Sequence, residues 1–182
     1  MCIPAGARTM ENTVKLPSGG EYNGLKNFQL GYACQCLWCD QFRPDVIVNK
    51  GESVVGAIVH PCCPQYLCRY EVQTYKGEGR EEGHKLWTIK KCCCNCHTLF
   101  GKACGCCIAA AATLTFDIMG NGSIPELHKQ YNGLVNECCN MADMYLLNWD
   151  GVDDDAKGIL MCAVHFIDLM WFENNYGAGG GI

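Results

Sequence analysis

Cysteine offers the most chemistry in this chain, at 17 of 182 residues. Cys-x-x-Cys pairs stand at Cys36/Cys39, Cys93/Cys96 and Cys104/Cys107, a spacing at which two thiolates reach one soft metal ion. Cys93, Cys96, Cys104 and Cys107, with His97 beside them, would supply the ligands of a tetrahedral zinc site. Only seven residues separate Cys96 from Cys104, against roughly 12–20 in the common zinc modules. Zinc is therefore the minor reading, and reduced thiols the plainer one. Cys34, Cys36 and Cys39 form the compact group CQCLWC with Leu37 and Trp38. Thiols beside residues that seat at an interface suit S-acylation, and several acceptors make attachment durable; small buried hydrophobes in a strand are the alternative. A disulfide scaffold is disfavoured, because the opening MCIPAGARTM does not read as a secretion signal.

The remaining reactive side chains form no hydrolase-like set. His60, His84, His97, His128 and His165 are scattered, with neither a nucleophile elbow nor a phosphate-cradling glycine loop. One polar arrangement does stand out. Residues 156–172, AKGILMCAVHFIDLMWF, are apolar except for Lys157, His165 and Asp168, which at 100° per residue share one side of a helix. Cys162 belongs to its apolar remainder. Asp153, Asp154 and Asp155 ahead of the run and Asn174, Asn175 and glycines behind it are helix start and stop signals. Seventeen residues span roughly 26 Å, short of a hydrocarbon core, and Asp168 would be costly there. The helix is expected to lie buried in the protein.

The elements ahead of it read as β. Turn residues punctuate candidate strands at Leu25–Leu30, Asp45–Asn49, Ser53–His60, Tyr66–Tyr75, Lys85–Lys90, Thr113–Met119 and Met144–Trp149, as in a sandwich or barrel. Residues 1–24 read as an irregular lead-in, 25–175 as one domain and 176–182 as a glycine-rich tail. Of the charges, residues 1–130 carry 13 Lys and Arg against 11 acids, and residues 131–182 carry Lys157 against eight acids. No basic stripe suits nucleic acid.

Four segments in order resemble the phospholipid scramblase family. They are VIVNKGESVVGAIVHPCCP at 46–64, ACGCC followed by ATLTFDIMGN at 103–121, KQYNGLVNE at 129–137, and KGILMCAVHFIDLMWFE at 157–173. The most specific are the Ile167, Asp168, Leu169, Met170, Trp171, Phe172, Glu173 ending and the His60, Pro61, Cys62 triplet. The resemblance implies a mainly β fold, a tubby-like barrel around the C-terminal apolar helix, lacking some N-terminal strands. It implies bidirectional, head-group-independent movement of phospholipids between plasma-membrane leaflets, at the cytoplasmic face and without covalent chemistry.

Cys34, Cys36 and Cys39 occupy the place of the family's palmitoylation cluster. Ca²⁺ is the implied cation, and its segment falls on 141–152, where Asp143, Asn148 and Asp150, with Asp153 beyond, are the candidate ligands. Met141, Met144 and Leu147 stand where further oxygens would help a hard cation, and Asp153, Asp154 and Asp155 read first as a helix N-terminus. Membrane phospholipids are the implied partners. Three readings follow: a scramblase with Lys157, His165 and Asp168 as its polar strip, an acyl-tethered tubby-like binding module that moves no lipid, and a zinc-binding cysteine-rich domain.

Overall fold

The computed structural model describes residues 9–27, 45–61, 69–92, 114–130 and 144–172. Among the described residues nine strands run β1 (Met10–Lys15), β2 (Glu21–Lys26), β3 (Asp45–Lys50), β4 (Ser53–Val59), β5 (Arg69–Lys76), β6 (Lys85–Cys92), β7 (Leu114–Gly120), β8 (Glu126–Gln130) and β9 (Met144–Asn148). One helix follows, α1 (Asp154–Ile167), continued by a wider π turn at Asp168–Phe172. Each strand pairs antiparallel with the next, so that the sheet is a meander in sequence order. The fold is mainly β with one buried C-terminal helix, as expected. Among the described residues no ladder joins β9 to β1, and the sheet is open there.

The strand pattern follows period-two burial. Val46 and Val48 of β3, Ile58 of β4, Val72 of β5, Trp87 and Ile89 of β6, Phe116 of β7 and Leu127 of β8 point inward and pack with the helix. Alternation of this kind marks a sheet with one face on the core. On the other face, Ala57, Val59 and Tyr75 form a smaller apolar cluster with Ile47. Arg80, in the loop after β5, pairs with Asp45 at the start of β3.

Residues 10–24 depart from the expected irregular lead-in. Met10–Lys15 and Glu21–Lys26 form a hairpin, with Val14 opposite Tyr22 and Lys15 opposite Glu21. The Pro17-Ser18-Gly19-Gly20 turn resembles coil composition, and Gly19 takes φ 91° there, which glycine adopts without strain. The strand expected to begin at Leu25 thus begins at Glu21. The five-residue β8 has no run of β-branched residues to announce it.

The sheet changes partners at β7. Asp117–Gly120 pair with β6, whereas Leu114–Phe116 pair with β8. Strands β8 and β9 therefore hang from the first half of one strand.

The helix is seated by glycines. A Cβ at Gly158 would lie 2.5 Å from the Tyr22 ring, and one at Gly56 would lie 2.8 Å from the Tyr75 carbonyl oxygen and against Ile159. Nine helix residues are buried, among them Ile159, Leu160, Cys162 and Phe166.

Candidate functional site

The start of α1 holds a connected polar cluster. Asp153 is the N-cap, with extended backbone (φ −69°, ψ 157°), and its carboxylate accepts the Ala156 amide proton at 3.0 Å. This is the standard return of a cap side chain to the first helical turn. Asp154 accepts from Lys157 Nζ at 3.1 Å and from Ser18 of the β1–β2 turn, and these donors hold its carboxyl below the usual range. Asp155 Oδ1 accepts from Lys50 Nζ at 2.7 Å and from the Tyr22 hydroxyl at 2.9 Å. Lys50 also lies 5.2 Å from the centre of the Tyr22 ring, within cation–π range. The Lys50 ammonium lowers the Asp155 pKa, and Asp155 in turn raises that of Lys50.

Tyr22 is fully buried, and desolvation first, then the Asp155 bond, raise its pKa. The three aspartates therefore cap the helix and tie it to β2, β3 and the first turn. The sequence gives no sign of Tyr22 or Lys50 as partners, since Lys50 stands in a turn and Tyr22 in the supposed lead-in.

The predicted strip of Lys157, His165 and Asp168 is brought to one side of the helix. Counting from Lys157 at about 100° per residue, Asp168 falls at about 20°, Met161 at about 40°, Asp154 at about 60° and His165 at about 80°. All five are half-buried or exposed, whereas most of the other helix positions from 156 to 167 are buried. Lys157 is paired with Asp154. His165 is exposed, and partial desolvation by its neighbours lowers its pKa. Asp168 accepts from the Tyr145 hydroxyl of β9 at 2.8 Å. Tyr145 carried no sequence signal, because it sits at an inward position of a short strand.

The rest of the circumference follows strand order. Gly158, at about 100°, meets Tyr22 of β2, and Cys162, at about 140°, lies near Gly24 of β2 with Asn12 of β1 as a polar neighbour. Ile159, at about 200°, meets Gly56 of β4. Burial pushes the Cys162 thiol up to about 12.

The candidate Ca²⁺ residues are split. Asn148 ends β9 and its side-chain oxygen accepts from the Asp150 amide at 3.4 Å, both residues being exposed. Asp153 spends one carboxylate oxygen on the cap. Asp143 lies outside the described residues, as do Cys34, Cys36, Cys39, Cys93, Cys96, Cys104 and Cys107. Among the described residues no three His, Cys, Asp or Glu side chains converge as metal ligands.

A comparison with known families decides the relationship. The family model described as Scramblase matches residues 26–174. The chain belongs to the scramblase family. No solved structure matches it. Membership implies a scramblase-like function, association with membranes and interaction with their phospholipids. Among the described residues no helix is long and apolar enough to cross a membrane, a statement that does not extend to strands.

Proposed function

We propose that this scramblase-family chain moves phospholipids in both directions between the leaflets of the plasma membrane, without selecting head groups and in response to Ca²⁺. The match over residues 26–174 supports this reading. The work is physical: the protein lowers the cost of taking a polar head group through hydrocarbon, where an unsatisfied polar group costs several kcal/mol (about 2–7). No covalent bond needs to form or break.

Attachment is assigned to acyl chains on Cys34, Cys36 and Cys39 at the cytoplasmic face, and Ca²⁺ to Asp143, Asn148, Asp150 and Asp153. At this segment Ca²⁺ would compete with the Ala156 amide for Asp153, so binding there would loosen the helix cap.

The deciding experiment reconstitutes the purified chain in vesicles carrying a fluorescent lipid and follows quenching by an impermeant reductant, with Ca²⁺ and with chelator. Quenching beyond the outer-leaflet fraction of empty vesicles is expected, faster with Ca²⁺; a trace matching empty vesicles would overturn the activity. Acyl-exchange labelling should fall in a Cys34/Cys36/Cys39→Ser variant.

The burial of nine α1 residues against the sheet favours a second reading, an acyl-tethered module that binds membranes and moves no lipid. It predicts vesicle binding without excess quenching.

A further inference from the structure

The five side chains at about 0° to 80° on the helix occupy a defined place in the fold. Asp168, at one margin, is held by Tyr145 of β9, the last strand. Past the other margin, Gly158 and Cys162 meet β2, with Asn12 of β1 beside Cys162. The helix circumference thus runs from β2 through β4 and on to β9 in strand order. The less buried side lies between the contact of Asp168 with β9 and that of Gly158 with β2, on the side of the sheet where, among the described residues, β9 and β1 do not pair. The Asp154–Lys157 pair stands at one end of this interval, Met161 midway, and His165 and Asp168 at the other end.

We propose that this interval is a track for the head group of a bilayer phospholipid, with Asp154, Lys157, Met161, His165, Asp168 and Tyr145 as its floor. The inference rests on the lipid-moving reading above and names the surface that does the work. Charge complementarity selects the occupant. A zwitterionic head group carries one phosphate and one cation, and the track offers the Asp154–Lys157 pair at one end and Asp168 with the uncharged His165 ring at the other. Lys157 can pair with the phosphate, the carboxylates can face the cation and the His165 ring N–H can donate to a phosphate oxygen, contacts to parts that phospholipid head groups share, which fits transport without head-group preference. Lys157 to Asp168 covers roughly 16 Å of helix axis, about half of a hydrocarbon core of about 30 Å. Met161, between the charged ends, is a flexible thioether that accommodates varied shapes.

The test uses the full chain in phosphatidylcholine vesicles, with a benzophenone amino acid placed at His165 or, separately, at Met161, and at Glu78 on the exposed β5–β6 loop as control. After irradiation, a lipid-mass adduct is expected at positions 165 and 161 and not at 78. In the quenching assay, a Lys157→Met/His165→Leu variant is expected to lose about tenfold in rate, the scale of one lost charge-assisted contact.

Adducts at the track without quenching by the wild-type chain would keep the lipid site and overturn the transport reading. Wild-type quenching with no track adduct and an unchanged double variant would overturn the track and keep transport. Protein-to-protein adducts from position 165 would assign the interval to a second copy and overturn the proposal. Neither adduct nor quenching would overturn both. Position 165 is exposed, so a fold disturbed by the bulkier group at half-buried Met161 still leaves a reading.

Discussion

At the residue scale, the interior holds a lysine whose burial is costly at neutral pH. Lys26 of β2 is 2% exposed, and desolvation lowers its pKa from 10.5 to about 8. Below pH 8 the folded and unfolded chains both carry the proton, and the burial cost is present in full. Between about 8 and 10.5 the unfolded chain binds more protons, so the stability contributed by Lys26 rises with pH. A Lys26→Met variant should therefore gain on the wild type at pH 7, and denaturant titrations should show that gain shrinking by up to about 3 kcal/mol between those pH values.

Cys162 acts in the opposite sense, because its thiol pKa is raised from 9.0 to about 12. Its contribution falls as pH rises above 9, but it is common to both variants and cancels in the comparison. The same burial makes a second prediction. Cys162 should resist alkylation in the native protein at pH 8 and react after unfolding, as peptide mass mapping would show. Neither property was legible in the sequence beyond the placing of Cys162 in the helix core, since Lys26 stood near the supposed start of a strand whose inward face was unknown.

At the element scale, α1 was the most legible part. Its start was marked by aspartates, its polar side by the spacing of Lys157, His165 and Asp168, and its burial by the apolar remainder. The sequence could not show what each aspartate would bind, because Tyr22, Lys50 and Ser18 are brought to them only by the closure of β1–β3. Strands with β-branched runs such as Asp45–Lys50 and Ser53–Val59 were legible, whereas β1 and β8 lacked that composition. Gly158 provides the sharpest test of the helix seat. Alanine would gain about 1 kcal/mol in helix propensity, but its Cβ would lie 2.5 Å from a fully buried aromatic ring. Overpacking should win, and Gly158→Ala is expected to lose about 1–2 kcal/mol net in a denaturant titration. A gain in stability would mean that Tyr22 can move aside.

At the scale of the whole molecule, the mainly β architecture and the scramblase relationship were readable from four ordered segments, while the opening between β9 and β1 was not. Pairing between distant strands leaves no local trace, and register along a short strand such as β9 is carried by few side chains. The division of β7 between two neighbours has a consequence for time. Among the described residues β8 and β9, with eight ladder positions of their own, join the rest of the sheet through one three-residue ladder, Leu114–Phe116, whereas β3 to β6 are laced on both sides. Amide exchange should accordingly be biphasic, with β8 and β9 acquiring deuterium together and early, and β4, β5 and α1 late. Mass spectrometry of peptic fragments would show it, and uniform exchange across the sheet would contradict it. On this view the last two strands are a leaf that breathes on its own clock, and each opening lifts Leu127 and Tyr145 from one edge of the core while the β3–β6 side stays closed.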